Sequence, residues 1–321
     1  MNILVVRTDK LGDFITALPA IYILKKYNVN NKIIVLVAPI NKELAESCNF
    51  IDEVIVDDGK SSIFSLRNKL RSAKINLSIT LFSNTRVALV QFLAGIKERY
   101  APATKIAQIF YNHRVRQRRS EVKMAEFEYN LALVQEVIGG IDVSYPKPLL
   151  EFYDGKIIYE QFCKDNKITK EVIAFHVGFG GSSDANLTLD EYETVICDTL
   201  VSEKYDVVLT FGPDEIALCE EMQKRLQNKK VVFYLSNNGI VDFAKLISNF
   251  KLFVSTSTGT YHLASLVGVP TMTFFGDSKF ASARRWKAIG DENLQKHYML
   301  PRDTIKRLEI FQKVREDLLV I

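Results

Sequence analysis

The 321-residue chain predicts an α/β protein built as two doubly wound domains, each a mainly parallel sheet with helices on both faces. Three observations carry that expectation. Short apolar runs alternate with helix-length segments through most of the chain. The alternation stops at Gly139-Gly140, Pro146 and Pro148, then starts again. The apolar runs also end repeatedly in loops rich in glycine, hydroxyls or charge, where such sheets carry their functional groups.

In order, residues 3–6 read as the first strand, opening into Arg7-Thr8-Asp9-Lys10-Leu11-Gly12-Asp13. A helix from about residue 13 to 27 follows, with Pro19 expected to kink it. Strands at 33–37, 53–56 and 77–81 alternate with helices at 42–48, 63–72 and 87–94, and 122–138 reads as a long helix. The boundary is placed near residue 150, giving a first domain over 1–150 and a second over 151–300. After a helix at 157–166, strands are expected at 172–177, 206–211, 231–234, 252–254 and 271–275. Helices at 189–200, 213–226, 241–248 and 261–267 connect them, and 301–321 supplies a closing helix.

Composition bounds the chemistry. Hydrophobic residues make up 47% and charged residues 25%, as in soluble globular proteins. There is no 18-residue apolar run, and MNILVVRTDK lacks the long apolar core of a signal peptide. The four cysteines are scattered without metal-type spacing, so reduced thiols and a cytoplasmic location are expected. Net charge is +4 but uneven: residues 1–150 hold 21 Lys and Arg against 14 Asp and Glu, and the remainder is net acidic. A basic first half fits a phosphorylated acceptor or an anionic membrane surface, or a solvated face with no partner. Nucleic acid is not expected, because no recognised motif accompanies the charge.

Several loop residues are candidates for chemistry. Asp13, at a helix start, reads either as a cap or as a general base at the mouth of the sheet. Asp9 is a second carboxylate, expected to be more exposed. Gly12 allows a sharp turn or a close ligand approach. Arg86 is a first-turn surface residue or an anion contact. Residues 113–119 contain His113, Arg114, Arg116, Arg118 and Arg119, which fits a solvated loop or a phosphate-binding stretch.

In the second half, the glycine-rich loop from Gly178 to Asp184 resembles a dinucleotide fingerprint only loosely. Its amides and hydroxyls suit a phosphate. Glu215 reads as a ribose ligand or a helix cap. The six small residues Ser255-Thr256-Ser257-Thr258-Gly259-Thr260 carry no charge and lead into a helix closed by Gly268 and Pro270. Such a turn offers free N–H groups to an anion. His262 would add a hydrogen bond or a positive charge; the plainer alternative is a capped helix with a structural histidine.

Three stretches, ILVVRTDKLGDFITALPA, YNHRVRQRR and VSTSTGTYHLASLVGVPTMTFFGD, resemble glycosyltransferase family 9, the ADP-heptose:lipopolysaccharide heptosyltransferases, in order and spacing. The resemblance implies a GT-B fold, two Rossmann-like domains facing across a cleft, with the acceptor on the first and a nucleotide-sugar on the second. It implies inversion at the anomeric carbon, no metal and no cofactor, with Asp13 as base. Thr258, Gly259 and His262 match the donor diphosphate turn, and Ser257, Thr260, Gly178, Gly180, Ser182, Ser183 and Glu215 complete the expected donor contacts. Thr8, Lys10, Gly12, Arg86, His113, Arg114 and Arg116 are the expected acceptor contacts. The implied partners are ADP-heptose and an anionic lipopolysaccharide or lipooligosaccharide acceptor, with peripheral contact at the inner face of the inner membrane.

Two departures bear on the donor. Many members carry a cation in the loop that here reads Asp184-Ala185-Asn186-Leu187-Thr188, and Asp-Thr-Gly where this chain has Ser257-Thr258-Gly259. Another nucleotide-activated sugar and a non-catalytic glycan-binding homologue therefore stay open. An NAD-dependent oxidoreductase is disfavoured, because no G-x-G-x-x-G follows Val6.

Overall fold

In the computed structural model, which describes residues 1–104, 106–140, 142–179 and 186–321, the chain divides into units Met1–Pro146 and Lys147–Ile321. The first contains β1 (Asn2–Arg7), α1 (Leu11–Tyr27), β2 (Lys32–Val37), α2 (Lys42–Ser47), β3 (Glu53–Val56), α3 (Ile63–Ser72), β4 (Leu77–Thr80), α4 (Thr85–Leu93), β5 (Glu98–Pro102), β6 (His113–Val115) and α5 (Glu126–Ile138). Its six strands are all parallel, in the order β3-β2-β1-β4-β5-β6. Ile3 to Val6 and Ile33 to Val37 are wholly buried, as expected of parallel strands covered on both faces. Helix α1 packs on β1, β2 and α5 and buries nearly every side chain from Phe14 to Leu24. Pro19 lies within that single helix.

The second unit contains α6 (Gly155–Asp165), β7 (Val172–His176), α7 (Leu189–Val201), β8 (Asp206–Phe211), α8 (Ile216–Arg225), β9 (Val231–Leu235), α9 (Ile240–Ile247), β10 (Leu252–Thr256), α10 (Gly259–Leu266), β11 (Thr271–Gly276), α11 (Ala283–Trp286), β12 (Gln295–Leu300) and α12 (Thr304–Leu319). The parallel order here is β12-β11-β10-β7-β8-β9. Counted from each unit's own first strand, the two orders are the same. In both, the order reverses between the first and fourth strands, β1/β4 and β7/β10, and the carboxyl ends there are where such sheets bind ligands.

Several boundaries differ from expectation. Helix α1 begins at Leu11, with Lys10 at the N-cap position, so Asp13 stands in the first turn and caps nothing. The helix expected from residue 122 begins at Glu126, because Val122 adopts left-handed backbone (φ 49°) at the end of the 3-10 turn Arg119–Glu121. Part of the basic run is a strand, β6, and β5 and β12 were not foreseen. Helix α12 packs on α7 and β12. The four cysteines are free thiols, and among the described residues no helix is long and apolar enough to cross a membrane.

Candidate functional site

In the first unit, chemistry gathers where β1 ends. Arg7 is the last residue of that buried strand, and its guanidinium is itself buried, over the ring of Phe82. It donates through Nε to Asp9 Oδ1 (2.8 Å), through Nη2 to Asp13 Oδ1 (2.6 Å) and through Nη1 to Glu126 Oε1 (3.3 Å). Glu126 opens α5 and also accepts from Arg119 Nη1 at 2.5 Å. Arg119 further donates to Gln117 Oε1, and Asn130 of α5 donates to the carbonyl of Thr16 on α1. A buried guanidinium is tolerable only with such partners. Burial works to discharge Arg7, but the carboxylates of Asp9, Asp13 and Glu126 outweigh it and raise its pKa.

Asp9 is not the exposed carboxylate expected: its side chain is 15% exposed, against 22% for Asp13. Burial pushes Asp9 up to about 6, the charge of Arg7 opposes this, and Asp13 adds to it. Asp13 therefore has one oxygen held by Arg7 while the side chain still reaches solvent. Gly12 lies in the helical first turn rather than at a left-handed turn, so it makes no sharp bend. Thr8 follows Arg7, and Lys10 is exposed at the N-cap position.

The remaining first-unit candidates are spread out. Arg86 makes a two-point pair with the buried carboxylate of Asp57 (3.0 and 3.2 Å) and donates to the Ser61 carbonyl, bracing α4 against the segment before α3. His113 lies 2.5 Å from Glu98 and stacks on Tyr100 with ring centres 4.1 Å apart. Arg114 donates to the Tyr111 carbonyl, and Arg114 and Arg116 are both exposed on or just after β6. Arg7 and Glu126 were not singled out from sequence as site residues, and Arg119 was read only as part of the basic stretch. The available signal was an arginine ending a wholly apolar strand with two aspartates within six residues.

In the second unit, the candidate turn at the order reversal follows the fourth strand rather than the first and lies between β10 and α10. Thr258 is the N-cap residue but makes no side-chain cap; its hydroxyl instead meets that of Thr260 at 2.9 Å. Helix α10 begins at Gly259, two residues earlier than expected, which puts Gly259 and Thr260 in the first turn. That turn has backbone N–H groups with no partner inside the helix. The amide of Ser257 donates to the Phe274 carbonyl, fixing the turn to β11. Tyr261 anchors the helix: its hydroxyl donates to Gln295 Oε1 (2.9 Å) and accepts from the Ala288 amide (2.8 Å).

His262 is buried, Nδ1 has no hydrogen-bond partner, and burial lowers its pKa to about 3. The positive charge expected there is therefore absent from the ligand-free protein; the imidazole is neutral. The hydroxyls of Ser255 on β10 and Thr273 on β11, adjacent in register, are also buried and unpartnered. Buried polar atoms are normally satisfied, and these orphans line the strands that lead into the turn.

Across the reversal point, Glu215 accepts from the Gly212 amide at 2.7 Å and lies 3.9 Å from the buried His176 imidazole. Burial lowers the pKa of His176, and Glu215 opposes that. The carboxylate fills the space above Gly178, where an added Cβ would come within 1.8 Å of Glu215 Oε1. Two loops that are separate in sequence thus meet, and residue 178 has no side chain because Glu215 occupies its place. Gly180, Ser182 and Ser183, and the loop positions 184 and 185, lie outside the described residues. Among the described residues, no group of three or more His, Cys, Asp or Glu side chains is placed to hold a metal ion.

The chain matches the family model of glycosyltransferase family 9 (heptosyltransferase) over residues 63–308. It is 38% identical over 300 residues to a Haemophilus influenzae protein provisionally named a glycosyltransferase, covering 90% of this chain and 86% of that one. Lipooligosaccharide heptosyltransferase 2 of Campylobacter jejuni is 22% identical over 284 residues, covering 86% of this chain and 82% of its own. In fold, the chain resembles the E. coli ADP-heptose lps heptosyltransferase II, with a TM-score of 0.77, 19% identity and 99% of each chain covered. That likeness bears out the α/β fold of the GT-B class.

Proposed function

The chain belongs to glycosyltransferase family 9, the heptosyltransferase family, and from that premise we propose that it transfers heptose from ADP-heptose to a lipopolysaccharide-type acceptor, with inversion and without a divalent ion. The observation that carries the proposal is the placement of Asp13: one oxygen is fixed by a buried arginine, at the carboxyl end of β1, and the side chain is still reachable from solvent. A base needs that orientation and that access.

In the proposed reaction, the acceptor hydroxyl gives its proton to Asp13 as its oxygen attacks the anomeric carbon. The bond from that carbon to the diphosphate breaks, and a single displacement inverts the centre. Negative charge grows on the departing diphosphate. The first-turn amides of α10, the hydroxyls of Thr258 and Thr260 and the neutral imidazole of His262 are suited to receive it. These groups take the part that a divalent ion has in metal-dependent transferases. In this reading Glu215 would accept from ribose hydroxyls, and Arg114 and Arg116 would meet acceptor phosphates. The names of the E. coli structure and the Campylobacter relative support this choice of donor and acceptor.

The test is Asp13→Asn, assayed with ADP-heptose and a phosphorylated core acceptor in the presence of a chelator. The expected result is a fall in kcat of about 10²- to 10⁴-fold with ADP affinity unchanged. Near-normal turnover would remove Asp13 from the chemistry. Loss of wild-type activity on chelation would remove the metal-free mechanism, and a product with the donor's anomeric configuration would remove the single displacement.

A further inference from the structure

Many exposed apolar side chains of this protein stand singly, as is usual on a soluble surface: Val29 beyond α1, Phe64 in α3, Val201 at the end of α7. Ile305 and Leu308 pair on α12, and one group is larger and spans two elements. Helix α4 ends in Phe92 and Leu93, and the 3-10 helix Ile106–Phe110 packs along it, with the Phe92 and Phe110 ring centres 5.8 Å apart. Ile106 and Ile109 are three residues apart on a helix with three residues per turn, so they project together. Relative exposures are 73% for Ile106, 62% for Ile109, 51% for Phe92 and 41% for Leu93.

The same stretch of chain is nearly devoid of acid. From Asn84 to Ser120 there are eight Lys and Arg against one acidic residue, Glu98, which is paired with His113; Arg86, Arg118 and Arg119 pair with Asp57, Glu121 and Glu126 outside the stretch, and the other five cations keep it basic. The Arg99 guanidinium lies 5.5 Å from the centre of the Phe92 ring and donates to the carbonyls of Ile96 and Phe110, so positive charge borders the apolar group directly. Lys97 precedes β5 and is exposed, its carbonyl held by Asn112 Nδ2 at 2.7 Å. Both β5 and β6 lie at this edge of the sheet.

We propose that this face of the first unit, α4 with the 3-10 helix beside it, docks on an anionic lipid bilayer. Phe92, Leu93, Ile106 and Ile109 enter the boundary between headgroups and acyl chains, and Lys97 and Arg99 sit at the level of the lipid phosphates. A second copy of the chain is a poorer occupant, because a two-fold contact would set this excess of positive charge against itself. The proposal rests on the heptosyltransferase reading only for its purpose, since a lipid-linked acceptor lies in a membrane.

Vesicle sedimentation of the full chain, with neither donor nor acceptor present, tests the proposal apart from that reading. Vesicles of phosphatidylcholine alone are compared with vesicles in which about a third of the lipid is phosphatidylglycerol. The wild type is expected to pellet with the anionic vesicles only, less so at high salt. The Ile106→Glu/Ile109→Glu variant loses partitioning by tenfold or more, on the order expected for removing buried apolar contacts and adding like charge. It keeps the wild-type melting temperature and turnover on a delipidated acceptor. Phe92→Gln/Leu93→Gln, on the other element of the face, gives a loss in the same direction. Failure of the wild type to bind anionic vesicles would overturn the proposal, as would wild-type binding by both double variants. So would a wild-type dimer that Ile106→Glu/Ile109→Glu converts to monomer, which would make the face a contact between copies. Loss of turnover on the soluble acceptor by the wild type would count against the proposed reaction alone.

Discussion

The two units share one strand order but prepare their reversal points in opposite ways. At the end of β1 every buried charge has a partner: one guanidinium holds three carboxylates, and one of those also binds a second arginine. The turn from Ser255 to Thr260 carries no charged residue, and among the described residues buried polar atoms on Ser255, Thr273 and His262 have no partner. The first arrangement pairs its buried charges and fixes a direction for Asp13, although the Thr8 hydroxyl and Asn41 Oδ1 beside it have no partner. The second holds no buried charge, and on the proposed reading it is where the leaving diphosphate would be received. A group that must accept a proton gains from being held before substrate arrives; a group that must receive a leaving charge gains from being left unsatisfied until then.

The strongest way to break this contrast is Arg7→Met. Removing the guanidinium leaves Asp9, Asp13 and Glu126 without their shared partner, and breaking a buried pair typically costs about 3–5 kcal/mol. Urea denaturation at neutral pH is expected to show a loss of that order. A loss no greater than that of a surface substitution would mean that the network does not hold the loop.

Asp9→Asn separates the three carboxylates by pH. Because burial raises the folded pKa of Asp9 to about 6, above its unfolded value, its contribution is intact at low pH and is lost as pH rises through 6. The variant should therefore gain on the wild type by on the order of 2 kcal/mol between pH 4 and pH 8. A difference in stability that is flat with pH would mean that Asp9 ionises in the native protein as easily as in the unfolded chain.

The smallest effect tests the other unit. His262→Leu removes a buried, unpartnered nitrogen, so the ligand-free protein should be unchanged or stabilised by up to ~1 kcal/mol. ADP binding measured by calorimetry should weaken by about tenfold, the cost of one lost hydrogen bond to a charged group. A variant destabilised by several kcal/mol without ligand would show that His262 is a structural group rather than a waiting one.

How much of this could be read beforehand follows from where the signals lie. Strands β1, β2, β7, β10 and β11 are apolar runs buried on both faces, and nothing else in a soluble chain looks like them. The strands not foreseen, β5, β6 and β12, are short or lie at sheet edges, and Glu98-Arg99, His113-Arg114 and Gln295-Lys296-His297 interrupt any apolar pattern. The turn at Thr258 was legible because it is local: small residues, a glycine and a helix stop follow one another. The network at Arg7 was not, because Glu126 is 119 residues away in the chain. An arginine at a strand end reads as solvent-facing until its partners are known. For the same reason the burial that raises the Asp9 pKa and keeps His262 neutral could not be read from either neighbourhood.

The pairing of Asp13 with Arg7 has a consequence for inheritance. A carboxylate that only performed catalysis would drift once the activity was no longer selected, and its loss would mark a silent copy. Here the carboxylate proposed as the base helps neutralise a buried guanidinium, so selection for folding preserves it whether or not the enzyme turns over. Descendants of this chain that abandon sugar transfer would keep Asp13 long afterwards. Their silence would be recorded first in the uncharged turn at Thr258, where no ion pair holds the residues in place.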